Sequence, residues 1–286
     1  MVILTSYRRA SAGDRAGDEP GEFCNVYMGP RMLEPICYQK SFLKQVIAKV
    51  DFATPLVKLE KGVPSGLVDA IIKYFPIIEP PADLISQEII FEGGGVNTKQ
   101  TTIKHWIYFG KDRGKQLTLA PQNISVVYTT YSSYEETKAQ FGAVIEALSK
   151  SFPDTKVARF GLRYINQIEF QLSDPTEWND FIDPSLIASR RFFGSDDALT
   201  RLLTLTELNY GDIGVRFQFG MPNQDYPAQL KRAQFVLDLD ASVSQAHDLA
   251  DVLSRMDESH RRIQELFERS ITEKLRRKMD AKPVQQ

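Results

Sequence analysis

Apolar and polar residues alternate along much of the chain, and a period of two is typical of β-strands with one buried face. In FGLRYINQIEF, residues 160–170, the even-numbered positions are apolar except for Asn166. The odd-numbered positions include Arg163, Gln167 and Glu169, so we expect the even-numbered face to be buried. Strand patterns also occur in FLKQVIAKVDF (42–52), LISQEIIFE (84–92), QTTIKHWIYFG (100–110), KQLTLAPQNISVVYT (115–129), DALTRLLTLTELNY (197–210), IGVRFQFGMP (213–222) and AQFVLDLDAS (233–242).

Three segments show helical spacing instead. They are SGLVDAIIKYFP (65–76), SSYEETKAQFGAVIEALSKSF (132–152), with its N-cap at Ser132 or Ser133, and a long region at about 246–279. The last region carries a stripe at near-heptad spacing, which predicts a long C-terminal helix. The stripe comprises Leu249, Leu253, Met256, His260, Ile263, Phe267, Ile271 and Leu275.

Turn-forming sequences between the strands, such as Gly211-Asp212, favour hairpins and an antiparallel sheet. Strands followed by a helix occur twice along the chain. The sequence therefore predicts an α+β fold in which antiparallel sheets are covered by helices, with two related halves at 34–172 and 184–280.

The same pattern predicts the domain boundaries. We expect one α+β domain at 34–280, with SDPTEWNDFIDPS (173–185) as the linker between its halves. Residues 1–33 contain a stretch rich in glycine, serine and charge, and we expect them to form a disordered leader. Residues 281–286 are expected to form a disordered tail.

Composition narrows the class of protein. The apolar fraction of 42% is that of an ordinary globular protein. The net charge of −2 gives no overall attraction to nucleic acid or to an anionic membrane. No apolar run is long enough to span a bilayer or to form a signal peptide. Cys24 and Cys37 form no CxxC pair. We expect two free thiols rather than a disulfide between them, and therefore a cytoplasmic protein.

Residues with catalytic chemistry are sparse and scattered. His105, His247 and His260 are not spaced as metal ligands, and we expect His105 to be a semi-buried strand residue. The glycine run at 93–95 leads into a strand rather than a helix, so it indicates a hairpin turn and not a phosphate-binding loop. The sequence predicts no cofactor and no metal site.

Asn166 is the polar exception on an apolar strand face, and three interpretations stay open. A bulge turns it outward, it makes a structural hydrogen bond to a neighbouring loop or helix, or it contacts a ligand together with Arg163 and Tyr164. The candidate binding residues are Arg159, Arg163, Tyr164, Asn166, Arg190 and Arg191.

The stripe of the final helix is long for a helix that covers one small sheet. Its excess apolar area predicts self-association into a homodimer. The candidate oligomerisation residues are Met256, His260, Ile263, Phe267 and Ile271.

Four segments carry a resemblance: FLKQVIAKVDF (42–52), SVVYTTYSSYEETKAQF (125–141), RFGLRYINQI (159–168) and HRRIQELFERSITEKL (260–275). Together they resemble a sporadically distributed family of uncharacterised bacterial proteins over about residues 34–280. The resemblance implies a phage-defence or toxin–antitoxin context and supplies no catalytic residue. The order of strands before a long helix is also similar, in topology alone, to SecB-type chaperones.

We therefore expect a non-enzymatic, chaperone-like or adaptor-like binding protein that recognises a protein or peptide partner. Two alternatives stay open. One is a nucleic-acid-binding module that uses Arg159, Arg163, Arg190 and Arg191. The other is a hydrolase or nuclease whose site is assembled from carboxylates dispersed along the chain.

Overall fold

One large antiparallel sheet of eleven strands forms the centre of the computed structural model, which describes residues 36–38, 40–92, 95–193 and 198–283. In chain order the strands are β1 (Ile36–Tyr38), β2 (Leu43–Phe52), β3 (Ile77–Ile78), β4 (Ala82–Glu92), β5 (Gly95–Phe109), β6 (Lys115–Leu119), β7 (Asn123–Tyr128), β8 (Lys156–Phe170), β9 (Leu202–Asn209), β10 (Ile213–Met221), β11 (Ala233–Val243), β12 (His247–Asp248) and β13 (Ala281–Pro283).

The main sheet runs in the order β3-β5-β6-β7-β2-β8-β11-β10-β9, with β4 paired to β5 and β12 to β8. β1 and β13 form a separate two-stranded sheet. The helices are α1 (Ser65–Ile72), α2 (Tyr134–Ser151), α3 (Val252–Ser270) and α4 (Glu273–Lys278), with short 3-10 turns at Val57–Glu60, Ala188–Phe193 and Leu249–Asp251. The combination of helices with a large antiparallel sheet confirms the coarse fold prediction.

β8 is the central strand, since it pairs with β2 on one side and with β11 on the other. Its Leu162 lies between Ala48 and Ala241 in register, and all three side chains are fully buried. Phe160 and Ile168 are buried on the same face. The predicted burial of the even-numbered face is confirmed.

The helices pack on that buried face. Ser133 caps α2 by accepting a hydrogen bond from the Glu136 amide at 3.1 Å, which confirms one of the two predicted caps. α3 contacts β8, β10 and β11, and its buried residues include Met256 and Ile263. The core therefore lies between one face of the sheet and the helices.

The predicted final helix is interrupted. α3 ends at Ser270, and Ile271 takes an extended conformation that forms an isolated β-bridge with Ile182. Thr272 then caps α4, because its hydroxyl accepts a hydrogen bond from the Leu275 amide. The prediction of one continuous helix over 246–279 is wrong at this point.

The segment expected to be a linker, 173–185, is part of the core. Trp178 is fully buried and packs against Phe170, Phe181 and Phe235. Its indole nitrogen donates to the Pro175 carbonyl oxygen at 3.0 Å. A free linker would not bury a tryptophan, so the interpretation of 173–185 as a linker is corrected.

The chain end also differs from expectation. Residues 281–283, assigned to a disordered tail, form β13 and pair with β1. Residues 1–33, the predicted leader, and residues 284–286 lie outside the described residues. The sheet continues without a break from β2 through β8 to β11, and a structural relationship between the two halves stays a prediction.

Candidate binding surface

The face of the sheet opposite the helices is less covered than the core face, and we call it the open face. It is defined by alternate positions of four neighbouring strands. They are residues 45, 47, 49 and 51 of β2, the odd-numbered residues 159–169 of β8, the even-numbered residues 234–242 of β11 and residues 214, 216 and 218 of β10. Most of these side chains are half-buried or exposed, whereas the facing positions on the helix side are buried.

The strongest polar contact on the open face joins β8 to β11. Arg163 donates from Nε and one terminal nitrogen to the two carboxylate oxygens of Asp238, at 2.7 and 2.5 Å. A bidentate pair of this kind fixes both side chains and is stronger than a single hydrogen bond. The pair therefore makes this part of the open face rigid, and its two charges balance.

A second group of charges lies beside this pair. Arg159 is 3.8 Å from Asp51 and 3.7 Å from Asp240, and Lys49 is 2.7 Å from Asp51. Strand register also places Asp240 opposite Arg163 on β8 and opposite Arg216 on β10. Cations and anions therefore alternate across four adjacent strands.

Burial and hydrogen bonding shift the pKa values of Asp240 and Arg163. The partial burial of Asp240 raises the pKa of its carboxyl, although Arg159 and Arg163 act in the opposite direction. The hydrogen bond to Asp238 raises the pKa of Arg163. Arg163 and Asp238 thus form a satisfied pair, whereas at Asp240 the effect of desolvation on the pKa outweighs that of the neighbouring arginines.

The structure separates the candidate binding residues. Arg159 and Arg163 lie together on the open face, whereas Tyr164 and Asn166 are buried on the helix side. The side chain of Arg191 lies outside the described part of the chain. The predicted six-residue site is therefore not one surface.

Arg190 belongs to a different region. It lies in the 3-10 turn at Ala188–Phe193, where its guanidinium contacts Asp174 at 3.5 Å and Glu177 at 3.2 Å and donates to Thr176. Its side chain is only 12% exposed. These contacts hold the segment after β8 in place and give Arg190 a structural role.

Asn166 is buried on the core face, with 6% of its surface exposed. Its Nδ2 donates to the backbone oxygen of Leu237 on β11 at 3.4 Å. The irregularity lies in β2, where the register with β8 shifts between Leu43 and Gln45. The structure therefore shows a structural hydrogen bond, but its acceptor is on a neighbouring strand and not on the predicted loop or helix. The outward turn of Asn166 is wrong.

A polar cluster fills the space under α3. The Tyr164 hydroxyl lies 3.2 Å from His260 Nδ1 and 3.3 Å from the Tyr131 hydroxyl. The Tyr134 ring stacks on His260 with centroids 3.7 Å apart, and its hydroxyl donates to Asp257 at 2.7 Å. Burial lowers the pKa of His260 to about 4, so the imidazole is neutral near pH 7.

The residues expected to mediate self-association face the chain's own core. Met256, Ile263 and Ile271 are between 0% and 4% exposed, and His260 belongs to the polar cluster. Phe267 packs edge-on against Tyr38 with centroids 6.1 Å apart. The apolar stripe of the final helix thus packs within one chain. The expectation of excess apolar area, from which the helix-mediated dimer was predicted, is wrong.

Sequence reasoning missed the acidic half of the open face. Asp238 and Asp240 alternate with leucines in the run FVLDLDAS, and this alternation was the available signal, because it places both carboxylates on the face opposite the leucines. Their pairing with Arg159 and Arg163 required the order of β8 and β11, which the sequence does not state.

Comparisons of the chain with protein-family models and with curated proteins return no match. Within the described ranges, no group of three or more histidine, cysteine or acidic side chains is arranged to hold a metal ion. Among the helices of these same ranges, none has the length and apolar character needed to cross a membrane.

Proposed function

We propose that this protein is a non-enzymatic binding protein that holds a protein or peptide partner on its open face. The observation that supports the proposal is the composition of that face. The bidentate Arg163–Asp238 pair lies there beside the aliphatic side chains of Ile47, Ile165 and Val236, which are half-buried. Protein interfaces combine apolar contacts with a small number of fixed polar groups in this way.

The charge balance of the surface favours a protein partner over nucleic acid. Arg159, Arg163 and Arg190 each lie within 4 Å of at least one carboxylate. Binding to phosphates requires cations that are free to neutralise them, so paired arginines contribute little. The alternative of a nucleic-acid-binding module is therefore the weaker proposal.

The biological setting belongs to the same proposal. The family resemblance of the RFGLRYINQI motif adds a bacterial phage-defence or toxin–antitoxin operon as the context, with a chaperone-like or adaptor-like role. In this setting the partner is a protein encoded with the chain or one that appears during infection. A homo-oligomer would present more than one copy of the open face to it.

The test is partner capture from the native host, followed by mass spectrometry. Arg163→Gln combined with Asp238→Asn removes the bidentate pair without leaving an unpaired buried charge. Glu146→Gln combined with Lys150→Gln is the matched control, since it removes a single exposed ion pair of 2.7 Å on α2, on the helix side of the sheet. Both double variants should keep the wild-type circular dichroism spectrum.

We expect the first double variant to lose the captured protein and the control to retain it, with or without nuclease treatment. Equal capture by both variants would contradict the role of the open face. Loss of capture after nuclease treatment alone would favour the nucleic-acid alternative.

A further inference from the structure

The outer edge of β9 is the end of the main sheet, and in the described part of the chain no strand pairs with it. The Tyr210 amide donates to the Ile213 carbonyl at the β9–β10 turn, at 2.9 Å. Because an antiparallel strand alternates the direction of its backbone groups, the even-numbered residues of β9 bond to β10. The N–H and C=O groups of Leu203, Leu205 and Glu207 therefore point outward.

This edge has little of the usual protection against pairing. Its sequence LLTLTELN contains no proline, no lysine and a single charged residue, Glu207, and its register with β10 is regular over eight residue pairs. Leu203 and Leu205 are 40% and 49% exposed. Natural proteins usually shield an edge strand of this length with charges, proline or a bulge.

We propose that β9 pairs antiparallel with β9 of a second copy of this chain, about a two-fold axis at Leu205. Leu205 is one of the residues with outward backbone groups, so it can exchange two hydrogen bonds with Leu205 of the second copy. The same axis pairs Leu203 with Glu207, and both of these residues also point outward. The main sheets of the two copies then join into one.

The side chains of β9 are complementary to themselves in this register. On the open-face side, Leu203 of one copy lies opposite Glu207 of the other. Arg201 lies diagonally across from the same Glu207, so each of the two glutamates has a cation nearby. On the helix side, Thr204 meets Thr206, a pair that can form a hydrogen bond. No like charges face each other.

The helix side also gains apolar contact. Leu202 and Leu208 are partly buried and pack against the core, and the axis at Leu205 brings them together across the new strand pair. Their remaining exposed area becomes covered in the dimer. Burial of apolar area therefore adds to the backbone hydrogen bonds. The pairing does not depend on the proposed partner of the open face.

The first experiment measures the mass of the full chain by analytical ultracentrifugation. Leu205→Lys places two like charges opposite each other at the axis and removes the central apolar contact. The control is Gln218→Lys, since Gln218 is the register neighbour of Leu205 on β10, where the backbone is already paired on both sides. We expect a wild-type dimer, self-association weaker by at least about tenfold in Leu205→Lys, and an unchanged dimer in Gln218→Lys.

The second experiment tests the register by oxidative crosslinking, with Cys24 and Cys37 replaced by serine. Leu205→Cys should form an intermolecular disulfide, because the Cα atoms of a hydrogen-bonded antiparallel pair are about 5.5 Å apart. Asn209→Cys should not, since residue 209 of one copy lies more than about 20 Å from residue 209 of the other at a rise of about 3.4 Å per residue.

Three outcomes would overturn the proposal. If the wild-type chain stayed monomeric throughout the micromolar range, β9 would not pair with a second copy, and a strand from another protein would become the candidate partner of this edge. Equal dissociation of the Gln218→Lys variant would place the interface elsewhere. Crosslinking at residue 209 that is as efficient as at residue 205 would exclude the two-fold axis at Leu205.

Discussion

At the scale of single residues, His260 combines burial with polar contacts. It lies between the Tyr134 ring and the Tyr164 hydroxyl, and Glu135 and Asp257 are the acidic groups whose charges act on it. These two carboxylates favour the imidazolium, but desolvation is the larger effect and lowers the pKa to about 4. The folded protein therefore keeps His260 neutral in a range where an unfolded chain protonates it.

This difference predicts a pH dependence of stability. The pKa of His260 is about 4 in the folded chain and 6.5 in the reference state, so the unfolded chain binds more protons between these values. The contribution of His260 to stability is complete above pH 6.5 and decreases as the pH falls towards 4, by up to about 3 kcal/mol. Urea denaturation at several pH values measures it.

The control is His260→Gln, which removes this titration and leaves the carboxylates unchanged. The difference in the free energy of unfolding between wild type and variant should become smaller as the pH falls from 6.5 to 4. A constant difference over this range would show that His260 is protonated in the folded state.

At the scale of elements, α3 is a core helix. Met256 and Ile263 are buried against the chain's own sheet, and the stripe ends where Ile271 leaves the helix to pair with Ile182. The bend places α4 beside the segment 173–185. Thr272 makes this connection, since its hydroxyl donates to the Asp180 carbonyl at 2.6 Å.

Ile263→Ala should therefore lower the free energy of unfolding by about 2–5 kcal/mol, because the truncation leaves a cavity in the core. Gln264→Ala, on the neighbouring half-buried position of α3, should change it by less than about 1 kcal/mol. Chemical denaturation gives both values. If Ile263→Ala changed the mass measured by light scattering but left the stability unchanged, Ile263 would instead belong to an intermolecular interface.

Thr272→Ala should cost about 1 kcal/mol, since it removes both the cap of α4 and the hydrogen bond to Asp180. Thr272→Ser is the matched variant and should retain most of the stability, because it keeps the hydroxyl. Equal losses in the two variants, measured by urea denaturation, would indicate that the methyl group of Thr272 and not its hydroxyl is important.

At the scale of the whole molecule, the sheet joins the two predicted halves through β8. Register connects β8 to β2 along one edge and to β11 along the other, and side chains from both neighbours share its buried face. Trp178, from the segment between the halves, is buried with Phe235 of β11. Separating the halves would expose this core.

The chain has two tryptophans, and they report on two different parts of the sheet. Trp106 lies on β5, where its indole nitrogen donates to the Leu59 carbonyl at 2.9 Å, and Trp178 packs near β11. Trp106→Phe and Trp178→Phe each leave one fluorescent reporter. We expect the denaturation curve of each variant from fluorescence to coincide with its own curve from circular dichroism, because a continuous sheet unfolds cooperatively.

A fluorescence transition that precedes or follows the loss of secondary structure in the same variant would contradict this expectation. Such a result would indicate two independently folding halves.

The sequence by itself determined the local features of this protein. The alternation in FGLRYINQIEF set the buried and open faces of β8, and Gly211-Asp212 marked the hairpin between β9 and β10. Ser133 was one of two predicted caps of α2. These features depend on residues a few positions apart, so side-chain periodicity and turn chemistry are sufficient to predict them.

Only the tertiary structure decided which strands are neighbours and therefore which side chains meet. Arg163 and Asp238 are 75 residues apart in sequence and form a bidentate pair because β8 and β11 are adjacent. The same long-range order placed Trp178 in the core and broke the final helix at Ile271. Strand order and register are set by the sum of many distant contacts, and no local pattern in the chain specifies that sum.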